Sequence, residues 1–203
     1  MGKIVVVENV TLDGVMQAPG RAGEDVRGGF PYGGWAQPYA DQVMAETMGK
    51  SMRTGGGAML FGRRTYEQFY SFWPKQADGN PYTEALNRSH KYVASRTLTG
   101  PLPWQNSSLL TGGATGAVAA LKRDADGDLV VLGSGELVRS LARAGLVDVY
   151  MLSVYPLTLG TGTKLFAEGE GAYSRMELAE AVPTTTGVII MTYRVTARED
   201  QVA

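Results

Sequence analysis

The stretch Asp128-Leu129-Val130-Val131-Leu132-Gly133-Ser134-Gly135-Glu136-Leu137-Val138-Arg139-Ser140-Leu141 passes from a short apolar run through Gly-x-Gly into helical periodicity. It reads as a strand, a tight turn and a helix start. Glycines at such a junction let the backbone approach a ligand closely, and the free N–H groups of the first helical turn attract an anion, usually a phosphate. A nucleotide cofactor is the chemistry such a junction serves; a turn that binds nothing is the plain structural alternative. Phe61-Gly62-Arg63-Arg64-Thr65-Tyr66-Glu67 is a second junction of this kind. Gly62 lets the turn tighten, Thr65 can cap the helix, and the two arginines either place charge where a phosphate would sit or form an exposed basic cap. Ser95-Arg96 follows a strand in the same way. A hydroxyl beside a guanidinium at a strand end suits the 2′-phosphate that separates NADP from NAD, or it marks an ordinary strand-terminal turn.

Two familiar fingerprints nearly match and both fail. A dinucleotide fold of the Rossmann kind wants a third glycine where Val138 stands, early in the chain, with an acid about twenty positions later. Gly160-Thr161-Gly162-Thr163-Lys164-Leu165 has Thr163 where a phosphate loop needs glycine before its lysine, and Leu165 replaces the magnesium-binding hydroxyl.

Composition narrows the classes further. With 203 residues and 44% hydrophobic content the chain can bury a full core, and one domain over residues 1–203 is expected. Nineteen basic against 20 acidic residues provide no broad electropositive surface, so nucleic acid is not an expected partner. The absence of Cys excludes disulfides, thiolate nucleophiles and thiolate-bound metal, and the single His90 reads as a surface residue rather than a ligand, so no metal is expected. Four apolar residues and then Glu8 fall short of a signal peptide, and no run approaches the ~20 residues that span a bilayer. A cytoplasmic protein away from membranes is the expectation.

The elements that must position these residues alternate. Ile4 to Val7 reads as a buried strand, followed by a loop with Leu12-Asp13-Gly14. Gly20 to Gly34, rich in glycine with Phe30, Pro31, Tyr32 and then Trp35, reads as a substrate-side loop or lid. Tyr39 to Met52 has helical spacing at Val43, Met44 and Met48, closed by Gly55-Gly56-Gly57. Ala58 to Phe61 is a strand, and the helix opened by Gly62-Arg63-Arg64-Thr65 runs towards Phe72, stopped by Pro74. A short helix over Thr83 to Arg88, strands over Lys91 to Ser95 and Ser108 to Thr111, a helix from Thr115 to about Lys122, a strand over Leu129 to Leu132 and a helix over Glu136 to Ala144 follow. Val147 to Val154 and Gly187 to Val195 read as an antiparallel pair joined by a long excursion, and the charged tail after Ala197 as frayed. The sum is an α/β sheet, mainly parallel, with an antiparallel C-terminal hairpin.

Four motifs occur in order: Gly62-Arg63-Arg64-Thr65 after an apolar strand, Ser95-Arg96 after the next, Gly133-Ser134-Gly135-Glu136 before a helix, and Leu146-Val147-Asp148 leading into Tyr155-Pro156-Leu157-x-Leu159-Gly160-x-Gly162-x-x-Leu165-Phe166. With them the chain resembles the dihydrofolate-reductase-like superfamily, most closely the branch holding the reductase domain of bacterial riboflavin-biosynthesis deaminase/reductases and its stand-alone relatives, over about residues 2 to 196. The resemblance implies a three-layer αβα domain, often a homodimer, with NADPH across the C-terminal ends of its strands. It implies an NADPH-dependent reductase passing hydride to C=N or C=O of a small pterin- or pyrimidine-like heterocycle or a carbonyl compound. Gly62, Arg63, Arg64 and Thr65 would meet the adenosine-side phosphates, Ser95 and Arg96 the 2′-phosphate, and Gly133, Ser134, Gly135, Glu136 and Leu137 the pyrophosphate. Leu12-Asp13-Gly14 matches the loop bordering the nicotinamide.

For catalysis Asp13 and Asp41 are the candidates, with Glu46 or bound water as further proton sources; Asp13 equally suits an Asx-type turn. Trp35, Tyr39, Tyr66 and Tyr155 are candidates to line a flat substrate pocket, or else pack in the core. Leu132 stands where the riboflavin-pathway reductases carry a substrate-binding Glu, and neither Asp41 nor Glu46 sits in a sequence like that of the dihydrofolate reductases. A non-catalytic NADP(H)-binding or ligand-sensing protein of the same fold is one competing reading, and a true dihydrofolate reductase or riboflavin-pathway reductase is the other.

Overall fold

In the computed structural model, which describes residues 2–54, 57–166 and 173–198, the chain forms one sheet with helices on both faces. The elements in chain order are β1 (Ile4–Thr11), α1 (Gln42–Thr54), β2 (Ala58–Gly62), α2 (Arg63–Phe72), α3 (Pro81–Arg88), β3 (Lys91–Ala94), β4 (Ser107–Leu110), α4 (Ala114–Asp124), β5 (Leu129–Leu132), α5 (Gly135–Arg143), β6 (Val149–Tyr155), β7 (Ser174–Pro183) and β8 (Ile189–Arg198). The eight strands lie in the order β4-β3-β2-β5-β1-β6-β8-β7. All pairs from β4 to β6 are parallel, β8 runs antiparallel to β6, and β7 closes the sheet antiparallel to β8. This is the expected α/β sheet with its antiparallel C-terminal hairpin, and parallel strands put all their C-terminal ends on one edge, where ligands of open α/β sheets bind.

Period-two alternation assigns the strand residues to two cores. Ile4, Val6, Leu60, Leu129 and Val131 pack with Val118 of α4 and Leu137, Val138 and Leu141 of α5. Met59, Phe61, Val93 and Leu132 pack on the other face with Tyr66, Leu86 and Trp104. The strand starts are tied by Asp148, whose Oδ2 accepts from Ile4 N at 2.8 Å and meets Lys122 Nζ of α4 at 2.5 Å.

Three expectations are corrected. Strand β1 runs to Thr11 rather than stopping at Val7, so Glu8 lies inside it; the acid mimics a strand end in sequence, whereas seven pairs along β6 carry the strand on to Thr11. The helix expected from Tyr39 divides into a 3₁₀ turn at Gln37–Tyr39 and α1. Asp41 makes the break, since its Oδ1 accepts from Met44 N at 2.8 Å in the N-cap pattern. The excursion between β6 and β8 contains the ten-residue strand β7. As an exposed edge strand β7 carries Glu177 and Glu180, and a register shift between Leu178 and Glu180 breaks its alternation, so no period-two signal survives. The closing glycines Gly55 and Gly56 and the tail beyond Arg198 lie outside the described residues; Gly57 is described. No described helix is long and apolar enough to cross a membrane.

Candidate functional site

Three helices begin at the C-terminal edge of the sheet, and the residues chosen for their starts leave the first-turn N–H groups free. The N-cap positions of α2, α4 and α5 are Gly62, Gly113 and Ser134, and none offers a side-chain cap. Uncapped N–H groups and the positive end of the helix dipole favour an anion. All three starts line one cleft of about 1620 Å³.

The α5 start is the most constrained. Gly133 and Ser134 take successive left-handed conformations, φ 58° and 65°, which turn the chain out of β5 within two residues. The turn is locked to the α2 start: Ser134 N donates to Thr65 Oγ1 at 3.0 Å, and Gly62 N donates to Ser134 Oγ at 2.9 Å. Thr65 therefore braces the neighbouring turn instead of capping its own helix. A Cβ on Gly133 would lie 2.9 Å from Thr65 Cγ2 on a backbone at φ 58°, so glycine is required there, whereas one on Gly135 would meet only the flexible ends of Met16 and Arg139. By contrast, nothing stands within 4 Å of a Cβ on Gly112 or Gly113, which leaves the α4 start open.

Among the sequence-chosen residues, the structure brings Gly62, Arg63, Arg64, Thr65, Ser95, Arg96, Gly133, Ser134, Gly135, Glu136, Leu137 and Tyr155 to this cleft. Arg64 Nη1 reaches Glu136 Oε1 across the α2–α5 gap at 3.2 Å, while Arg63 pairs with Glu67 on its own helix at 3.1 Å. Ser95 Oγ accepts from Thr97 N and Leu98 N, an ST-type turn, and Arg96 is exposed without an ion pair among the described residues.

Asp13, Gly14, Asp41, Trp35, Tyr39 and Tyr66 are placed elsewhere. Asp13 staples two loops: Thr11 Oγ1 donates to it at 2.5 Å and Gly160 N at 2.8 Å, and the Thr11 hydroxyl bond leads in holding its carboxyl below the usual range. Gly14 supplies its carbonyl to Leu165 N. Asp41 Oδ2 accepts from Thr185 N and Oγ1 at 2.6 and 2.7 Å, joining α1 to the β7–β8 turn; with the Met44 N–H as the main cause, its carboxyl too is held low. Tyr66 is core, 1% exposed, its hydroxyl accepting from Trp104 N. Trp35 and Tyr39 buttress Tyr155 edge-on at 5.0 and 5.6 Å, and Tyr155 alone of the four reaches the cleft.

Sequence reading missed the inner half of the cleft. Val5, Val7 and Asn9 on the open face of β1, Met44 and Met48 of α1, Phe69, Phe72 and Trp73 of and after α2, and Met151 and Ser153 of β6 line an apolar slot. The i, i+4 pair Met44 and Met48 carried that signal, because it gives α1 one apolar face directed at the sheet. The slot's polar end is Asn9, whose Oδ1 accepts from Tyr155 Oη at 3.2 Å; burial pushes Tyr155 up to about 12, so that phenol remains a donor. The glycine-rich loop is pinned above the slot by Gln68 Nε2 to Glu24 O (2.6 Å), Trp35 Nε1 to Gln17 O (2.7 Å) and the Arg21 guanidinium 4.2 Å over the Phe72 ring. Glu8 also lines the cleft at 6% exposure; its Oε1 is buried without a partner among the described residues, and burial holds its carboxyl well above the usual range. In sequence it looked like a strand terminator.

This topology, with a cleft across the strand ends, is the dihydrofolate-reductase-like fold. The chain superposes on a Shewanella sp. PV-4 protein described as a candidate riboflavin biosynthesis protein with a TM-score of 0.73 at 18% identity, covering 96% of this chain and 99% of that one. It superposes on Enterococcus faecalis dihydrofolate reductase, solved in complex with NADP(H) and RAB-propyl, with a TM-score of 0.57 at 14% identity, covering 98% of each. In sequence it is 26% identical over 141 residues to the uncharacterised protein YyaP of Bacillus subtilis (strain 168), spanning 66% of this chain and 72% of that one. The RibD C-terminal domain profile matches residues 2–190, and the chain belongs to that family.

Proposed function

We propose that the protein is an NADP(H)-dependent reductase that delivers hydride to a C=N or C=O bond of a flat, largely uncharged heterocycle. The observation that carries this reading is the convergence of three uncapped helix starts on one cleft that continues into an apolar, aromatic-lined slot. The site's chemistry fits the cofactor: a left-handed Gly133–Ser134 turn exposes N–H groups for a diphosphate, and Arg64 and Arg96 at the outer end supply charge for a 2′-phosphate. NADPH when bound supplies the hydride. The chain's own part is to orient: Met44, Met48 and Trp73 shape a flat slot, the pinned loop over it limits water, and Asn9 and the Tyr155 hydroxyl offer polar contacts to the substrate.

The family and its dihydrofolate-reductase-like neighbours support a reductase. The face of α1 towards the slot presents Met44 and Met48 rather than a carboxylate, which favours a substrate without the cationic ring edge an acid there would bind. One observation favours a non-catalytic NADP(H) sensor: Asp13 and Asp41 are fully occupied by backbone and hydroxyl donors away from the cleft. Oxidation of NADPH in the presence of a panel of pterins, pyrimidines and cyclic carbonyl compounds decides between them. Substrate-dependent oxidation supports the reductase; tight NADPH binding with no oxidation by any compound supports the sensor. The homodimer that the family resemblance implies belongs to the same proposal, and sedimentation at twice the chain mass is its expected outcome.

A further inference from the structure

The pleat of the central strands decides which polar side chains reach the slot. Along β1, Ile4, Val6 and Val10 pack towards α4 and α5 and Glu8 shares their face, while Val5, Val7 and Asn9 alternate onto the other face and line the slot. Along β6, Tyr150, Leu152 and Val154 join the α4–α5 core, and Met151, Ser153 and Tyr155 line the slot. Asn9 is the register partner of Ser153 in the parallel β1–β6 pair. Their side chains therefore stand next to each other on one floor, since neighbouring strands lie about 4.8 Å apart.

The Asn9 carboxamide is held in one orientation. The Tyr155 hydroxyl has a single proton and two acceptors in range, Asn9 Oδ1 at 3.2 Å and Met44 Sδ at 3.7 Å. A thioether is a weak acceptor, so Oδ1 takes the bond and Nδ2 is the free end of the amide. Trp35 and Tyr39, edge-on to the Tyr155 ring, keep the hydroxyl in place. Among the described residues, neither Asn9 Nδ2 nor Ser153 Oγ has a partner. Ser153 Oγ is also not sealed: the enclosed, unpartnered side-chain atoms among the described residues are Glu8 Oε1 and Ser107 Oγ. Apart from Tyr155, the remaining β1 and β6 side chains of this floor are Val5, Val7 and Met151, and α1 adds Met44 and Met48. A charged ring edge lying there would lose its hydration and gain no counter-charge.

We propose that Asn9 Nδ2 and Ser153 Oγ form a donor pair that holds one exocyclic carbonyl oxygen of a neutral, flat ring, with Tyr155 as the positioning residue that keeps the amide donor towards the slot. The inference rests on the substrate reading of the slot given above and narrows it to ring carbonyl compounds. A carbonyl oxygen has two lone pairs and can accept from both donors at once. A ring without that oxygen leaves both donors unpaired in a slot that limits water, so the pair discriminates as well as binds.

The test is calorimetric titration with quinazolin-4-one and with quinazoline, flat rings of one shape of which only the first carries the carbonyl. Wild type is expected to bind quinazolin-4-one about tenfold or more tightly than quinazoline. Ser153→Ala and Asn9→Leu should each weaken quinazolin-4-one by about fivefold and move quinazoline by less than about twofold. Tyr155→Phe removes neither donor but lets the amide turn over, so it should narrow the preference; a purely structural role would weaken both rings alike. Circular dichroism checks that each variant folds. The Asn9 side-chain amide signal in the NMR spectrum of wild type adds a readout free of mutation, and it should shift with quinazolin-4-one and not with quinazoline. Equal affinity of wild type for the two rings, binding of neither, an unshifted Asn9 amide, or the full preference retained in Asn9→Leu overturns the inference. NADPH titrated into the same wild-type sample separates the two readings. NADPH binding without ring preference overturns this inference alone, and ring preference without NADPH binding overturns the cofactor reading alone.

Discussion

Replacing Gly133 with alanine forces a Cβ into a backbone at φ 58° and to within 2.9 Å of Thr65 Cγ2. Holding a non-glycine residue in the left-handed region costs about 1–2 kcal/mol. Thr65 cannot rotate away freely, because its Oγ1 accepts the Ser134 N–H, and breaking that bond costs about 1 kcal/mol more. Together these predict a loss of about 2–3 kcal/mol, and at about 2–4 °C per kcal/mol for a domain of this size the melting temperature falls by about 4–12 °C. The same substitution displaces the N–H groups that are proposed to hold the cofactor. NADPH at 100 times its Kd should therefore stabilise wild type by about 2.7 kcal/mol and the variant by much less. Differential scanning fluorimetry with and without NADPH reads both effects. A melting temperature within 1 °C of wild type, with undiminished protection by NADPH, would refute the strain assignment and the cradle together.

Other outcomes follow from the same structure. Arg64→Ala and Arg96→Ala should each leave NADH binding nearly unchanged, and at least one should weaken NADPH by about tenfold, measured by nicotinamide fluorescence. Lys91 is fully buried, donating to the Asn87 and Ser89 carbonyls and lying 4.6 Å over the Trp104 ring, and burial lowers it to about 8. Between pH 8 and its ordinary value near 10.5 the unfolded chain holds a proton that the folded one has released, so the stability of wild type relative to Lys91→Met should rise with pH across that window, by no more than about 3 kcal/mol in urea denaturation. Asp41→Asn should lower the melting temperature, by loosening α1 from the β7–β8 turn, and leave NADPH affinity unchanged. Asp13→Asn should do the same through the Leu159–Gly160 loop; a fall in turnover at wild-type stability would instead return Asp13 to catalysis.

The turns and helix starts that line the half of the cleft proposed for the cofactor were legible because their signal is local. Gly-x-Gly after an apolar run, or Gly-Arg-Arg-Thr after another, specifies a turn and a helix start within a few residues, and parallel topology then brings such starts to one edge. The apolar slot is not local: Asn9, Met44, Phe69 and Ser153 come from four elements, and only packing joins them. Trp35 and Tyr39 were attractive as aromatics beside a glycine-rich loop, yet their partner is Tyr155, more than a hundred residues away in sequence. The carboxylates differ in their settings. Asp13 and Asp41 stand in loops where backbone N–H groups claim them, whereas Glu8 stands in a strand whose length the acid itself obscured. Continuing the alternation Ile4, Val6 through to Val10 would have placed Glu8 on a buried face.

The most direct test is calorimetric titration of the wild-type protein with NADPH and with NADH. The account predicts saturable binding of one cofactor per chain with NADPH preferred by tenfold or more, on the order expected for charge-assisted contacts to a 2′-phosphate; binding of neither nucleotide would contradict it.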